Sequence, residues 1–138
     1  MLTNLYLPFV YIHSYLRWLL ILALIYALFR ALRGWLTEKP WVKADRMAGL
    51  FYTISLDLQL TIGLVLYALT GFAASMRFLG EHILPMVVAV VLGHLGSSLP
   101  KRVDDDVRKH QRAALWFALS AVVVLAAIPW ARPLLRGF

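Results

Sequence analysis

The chain contains no cysteine. That excludes a disulfide framework, a thiolate metal site, an iron–sulfur cluster and covalent attachment of a c-type haem. Acidic residues are also scarce, with 7 Asp and Glu against 14 Lys and Arg. A net charge of +7 on a soluble chain would point to nucleic acid. Here the basic residues flank long apolar blocks, so membrane topology and anionic lipid headgroups account for them and no nucleic-acid partner is expected. Internal repeats and low-complexity segments are missing, as are a phosphate-binding glycine loop and a hydrolytic nucleophile–base arrangement. An independent enzyme is therefore not the first expectation.

What the chain has in excess is apolar residues. They make up 62% of 138 positions, with a mean hydropathy of +0.74, where soluble domains hold about 45–50%. They fall into four blocks, each near the roughly 17–25 residues that cross a bilayer core. The blocks predict helices over about 7–32, 47–72, 82–99 and 112–129 of a single domain, 1–138. The first block is too long for a secretory leader and lacks its basic start, so it is expected to stay as helix one. The links are short, which makes successive helices antiparallel neighbours. The expected architecture is all-α: a four-helix transmembrane bundle of up-down-up-down topology.

Basic residues orient this bundle. The first and third links with their flanks carry Arg30, Arg33, Lys39, Lys43, Arg46, Lys101, Arg102, Arg108, Lys109 and Arg112, and the other side carries Arg17, Arg77, Arg132 and Arg136. The rule places both termini outside the cytoplasm, in a multi-pass protein of a bacterial inner membrane. Trp18 and Trp130 then belong to the outer aromatic belt, and Trp35, Trp41 and Trp116 to the inner one. The acidic run Asp104–Asp106 precedes helix four, where carboxylates favour a helix start.

The chemistry lies in the polar residues of the apolar blocks. His13, about two turns into helix one, and His82, at the start of helix three, reach the same side of an antiparallel bundle at similar depth. Two neutral imidazoles from separate helices can be the axial ligands of a non-covalent haem b. They can equally be interfacial structural residues, or a thin metal site without porphyrin. Arg17 is one turn from His13 on the same face. A charge in a spanning segment needs a partner or a route to water; the candidates are a haem propionate, Glu81 and snorkelling. Tyr11 and Tyr15 flank His13 in sequence.

His94 follows His82 by about 18 Å of helix, rotated by about 120°, so the two do not share a face. Asp57 lies about 16 Å into helix two from the same side as His94. Thr53 and Thr61 flank Asp57 at i−4 and i+4, and Ser120 of helix four reaches a comparable depth. Asp57 and His94 can form a buried hydrogen-bonded pair, a polar packing network, or a site that handles protons or a quinone. His110, inside the basic run Arg108–Arg112, is expected to be a plain interfacial residue, and Gly93 and Gly96 permit close approach of helix three.

Several runs are distinctive together: His13-Ser14-Tyr15-Leu16-Arg17-Trp18, Gln59 to Tyr67, Glu81-His82 with Pro85-Met86, Gly93-His94-Leu95-Gly96 and Ile128-Pro129-Trp130. Over most of its length the chain resembles small bacterial four-helix membrane proteins described as cytochrome b-like. The resemblance implies haem b binding and electron transfer within the membrane, with His13, His82 and His94 matching the group's pattern. It has one departure. Members of the group tend to carry a histidine in helix two where this chain has Asp57, so a second haem held there with His94 would be altered or lost. The resemblance thus implies one haem, on the outer side, with His94 a weaker candidate.

The leading expectation is a haem b membrane protein that relays electrons, with a quinone as a candidate second cofactor, alone or as a subunit of a respiratory or photosynthetic complex. The alternatives are a non-redox accessory subunit packed against a larger membrane complex, and a small ion or proton transporter lined by Asp57, His94 and Ser120.

Overall fold

A computed structural model describes residues 2–130. Among these residues the chain is all-helical, with four helices long and apolar enough to cross a membrane. α1 spans Leu2–Leu36 and α2 spans Lys43–Leu69. α3 is the continuous helical segment Met76–Arg102, and α4 spans Asp106–Ala127. The packing α1 on α2, α2 on α3, α3 on α4 and α4 on α1 closes a ring, the expected up-down-up-down bundle of a multi-pass membrane protein. Two ends result: a loop end, carrying the α1–α2 and α3–α4 links, and a terminus end. Of the basic residues that set the expected orientation, Arg132 and Arg136 lie outside the described residues.

The helix boundaries differ from expectation for local reasons. α2 stops at Leu69, not near 72, because Gly71 turns left-handed at φ 65° and the Phe72 N–H closes back on the Tyr67 carbonyl at 3.1 Å. α3 starts six residues before His82, capped by Ser75, whose hydroxyl accepts from the Phe78 N–H at 3.1 Å. It then passes through a π-helical turn, Leu79–Ile83, before the α-helical stretch Leu84–Ser98. Pro85 has no N–H to give the Glu81 carbonyl, and the ladder shifts register there: the Leu84 N–H bonds to Leu79, five residues back. α4 starts at Asp106 and not near 112, because Asp105 accepts the Arg108 N–H at 2.7 Å. The acidic run therefore acts as a helix start.

Small residues set the helix spacing. A Cβ on Gly93 would strike Leu56, and one on Gly96 would strike the ring of Phe117. Around them lie Leu20, Leu24, Tyr52, Leu56, Phe117 and Val124, with alanines filling the tight contacts. One polar chain crosses this core. Ser120 donates to the Ala89 carbonyl at 2.8 Å and so accepts from the Tyr52 hydroxyl at 2.6 Å, tying α4 to α3 and α2. Many large apolar side chains on the outside, Leu22, Phe29, Val91 and Val122 among them, are exposed. On a membrane protein these are the surfaces that meet lipid tails.

Candidate functional site

The terminus half of the bundle encloses a cavity of about 360 Å³, within the roughly 300–1,000 Å³ usual for small-molecule and cofactor pockets. His13 on α1 and His82 on α3, from diagonally opposed helices, both line it and approach edge to face, with ring centres 6.4 Å apart and ring planes at 80°. Arg17, Ser14, Tyr67 and Gln59 also line it. The expected convergence of His13, Arg17 and His82 is present.

Each histidine is held by a neighbour. His82 Nδ1 lies 2.7 Å from the carbonyl oxygen of Ala127, so Nδ1 carries the proton and donates, and the ring's lone pair is on Nε2. The π turn that displaces His82 and the end of α4 that supplies Ala127 together fix this ring. Its neighbour Phe78 packs at 4.9 Å between ring centres. On α1, Gln59 reaches over from α2. Its side-chain amide donates to the His13 carbonyl at 3.0 Å and sits 3.2 Å from His13 Nε2. His13 Nδ1 and the Gln59 carbonyl oxygen are buried with no hydrogen-bond partner. Gly63 supplies the room: a Cβ there would come within 3.2 Å of His13 Cε1.

Sequence reasoning passed over Gln59 as a site residue. Its signal in the sequence is an amide inside a spanning segment, two residues from Asp57 and one turn before Gly63. Glu81, a candidate partner for Arg17, is instead bonded to Arg77 at 2.9 Å in an exposed i,i+4 pair. The Arg17 guanidinium carbon lies 5.9 Å from the centre of the Trp18 ring.

In the middle of the bundle Asp57 and His94 do meet. His94 Nε2 lies 2.9 and 3.1 Å from the two carboxylate oxygens. The pair is on the outer face between α2 and α3, with side chains 48% and 51% exposed, so the expectation of a buried pair is corrected. The rotation between His82 and His94 is the cause: with His82 turned inward, His94 points out. Ser120 belongs instead to the Tyr52 chain. Thr61 donates to the Asp57 backbone carbonyl at 2.7 Å, and Thr53 to that of Leu50 at 3.0 Å, so neither hydroxyl extends the pair.

The loop end holds a further correction. His110 is not a plain surface residue of the loop end: it is 1% exposed, and both ring nitrogens are buried without a hydrogen bond. The early start of α4 puts it inside the helix, where its ring lies against Gly34 of α1 and 4.8 Å from the Trp41 ring. Beside it, Asp45 is 6% exposed. Its carboxylate accepts from Arg30 Nε at 2.7 Å and from the Val42 N–H at 2.9 Å, which caps α2 and clamps it to α1.

Among the described residues no group of three or more His, Cys, Asp or Glu is clustered for a metal ion. A metal held by side chains alone has no ligand set there; two imidazoles suffice only where a cofactor brings the remaining donors. No family model, curated protein or solved structure matches the chain.

Proposed function

We propose that this is a haem b-binding electron-transfer protein, with His13 and His82 as the axial pair of one haem in the terminus half. The observation that carries the reading is the pair of imidazoles from two helices brought together in the lining of one cavity, one of them fastened through Nδ1 to a backbone carbonyl. The two ring centres are 6.4 Å apart, close enough for one bound group to take both imidazoles. The Nδ1–H to carbonyl bond of His82 is the kind of contact that orients a metal-ligating histidine and raises its basicity. The unbonded His13 Nδ1 and Gln59 carbonyl fit the same reading, because both are polar atoms whose surroundings lack a component.

Haem b supplies reversible one-electron chemistry when bound. The residues do the rest. His13 and His82 would hold the iron. Gln59 would orient His13 from α2, Arg17 would offer its charge to a propionate, and the apolar side chains of the wall would tune the potential. On this reading both termini face the extracytoplasmic side of a bacterial inner membrane. Electrons pass between a quinone and an extracytoplasmic partner, alone or within a respiratory or photosynthetic complex. The test is a reduced-minus-oxidised spectrum with a pyridine haemochrome assay on protein reconstituted with ample haem. Absence of b-type bands from a folded preparation would sink the proposal.

A second reading, a non-redox subunit packed against a larger complex, is favoured by one observation. The Asp57–His94 pair is half-exposed near the middle of its helices, on a face otherwise lined by Ile54, Leu58 and Val91. Ionisable groups facing lipid at that depth are rare, and a covering protein would relieve them.

A further inference from the structure

We propose that the loop end of the bundle carries a binding site for a phosphate group, presented by the headgroup of an anionic phospholipid. The site is a cleft of about 200 Å³ between α1, the α1–α2 link and α4, lined by Arg30, Arg33, Lys39 and His110 together with Asp45. It is independent of the haem reading and lies at the opposite end of the molecule.

Three observations converge on it. The first is charge. Asp45, the one carboxylate lining the cleft, is taken up by Arg30 and by the Val42 N–H. That pair is close to neutral, so Arg33 and Lys39 leave an uncompensated charge at the mouth. The second is the buried imidazole. His110 lines the cleft, is 1% exposed and has neither ring nitrogen hydrogen-bonded. A buried imidazole must carry at least one N–H, and an unpaired buried donor is unfavourable unless something accepts from it. Nearby carboxylates do not serve: neither Asp45 nor Asp106 is hydrogen-bonded to the ring, and their bonds go to Arg30, the Val42 N–H, Lys109 and the Trp41 N–H. The third is location. The cleft lies at the end of the apolar spans, beside the basic α1–α2 link, which is where a spanning helix leaves the hydrocarbon core and lipid phosphates are expected.

An anion with several acceptor oxygens answers all three. It pairs with Arg33 and Lys39 at the mouth and accepts from His110 at the back. Gly34 makes this possible, since any side chain there would occupy the space of the imidazole. A zwitterionic headgroup brings its own ammonium against Arg33 and Lys39 and is a poorer fit.

The experiment measures lipid binding to the intact protein in neutral detergent by native mass spectrometry. The added ligands are phosphatidylglycerol, phosphatidylcholine or inorganic phosphate, each at matched ionic strength. Phosphatidylglycerol should bind saturably and more tightly than the other two. The double variant Arg33→Gln/Lys39→Gln should weaken it about thirtyfold, as expected for two basic residues that each contact the phosphate at the surface. The double variant Lys101→Gln/Arg102→Gln removes the same charge from the same end, outside the cleft, and should change it less than threefold. Phosphatidylglycerol should also shift one histidine-ring signal in a labelled sample, the one missing from His110→Gln. Equal losses in the two double variants would reduce the effect to general surface charge and overturn the site. Inorganic phosphate binding as tightly as the lipid would overturn the lipid source. A ring signal that does not move would remove His110 from it.

Discussion

The two halves of the bundle use the same residue types to opposite ends. In the terminus half, polar side chains point inward: His13, His82, Gln59 and Arg17 line one cavity. Elsewhere they are arranged differently: Asp57 and His94 turn outward near the middle, and at the loop end the buried His110 backs a basic cleft in which Arg30 is taken up by Asp45. A histidine in a membrane helix is therefore read by its facing and its neighbours. Depth alone does not distinguish the ring that can hold a cofactor from the one that packs.

The largest expected effect tests the first half of this comparison. His13→Ala and His82→Ala should each abolish or severely alter the b-type spectrum of haem-reconstituted protein, and His94→Ala should leave it intact. Loss of the spectrum in His94→Ala alone would mean that the wrong histidines have been paired. Gln59→Leu should retain haem but shift its midpoint potential, because Gln59 touches His13 and does not face it across the cavity.

The next effect belongs to the loop end. Gly34→Ala drives a methyl group into the His110 ring. Overpacking of this kind costs about 1–3 kcal/mol, more than the roughly 1 kcal/mol that alanine regains in helix propensity. Thermal unfolding in detergent should show a lower midpoint. A rise would mean that the α1–α4 contact is looser than it stands.

How much of this was legible in the sequence follows the same divide. Helix number, order and approximate depth rest on runs of apolar residues, which the bilayer enforces over whole segments. Facing requires a helical phase, and one residue turns it by about 100°. Phase could be read between His82 and His94 because both lie on α3, and the inferred 120° offset agrees with one ring in the cavity and the other outside. It could not be read for His110. The acidic run was recognised as a helix start, yet α4 was begun six residues late, which left His110 outside the helix that buries it. Nor could it be read for Gln59, whose reach to α1 depends on a closely packed α1–α2 pair and on the missing side chain of Gly63.

A smaller effect lies between the halves, in the chain from Tyr52 through Ser120 to Ala89. Ser120→Ala leaves the buried Tyr52 hydroxyl without its acceptor and should cost about 1 kcal/mol. Tyr52→Phe should cost less, because Ser120 keeps the Ala89 carbonyl. The reverse order in unfolding experiments would mean that the tyrosine hydroxyl, not the serine, anchors the three helices.

The smallest effect bears most directly on the outward-facing pair. Asp57→Ala, His94→Ala and the double variant form a cycle that isolates their coupling. Each side chain is about half exposed, and polar groups in a bilayer find substitute partners in the unfolded reference state. Measured couplings between membrane helices average about 0.6 kcal/mol and reach about 1.7 kcal/mol. A value near the average, measured on the isolated bundle in detergent, is expected if the pair is a surface contact between α2 and α3. Repeating the cycle in native membranes distinguishes the two halves further. A protein that covers this face would desolvate both groups, and removing one partner would then strand the other. The coupling should rise above the detergent value in that case, which favours the accessory-subunit reading. If it stays the same, the pair faces lipid or water in the membrane as well, and the contact between α2 and α3 stands without a covering protein.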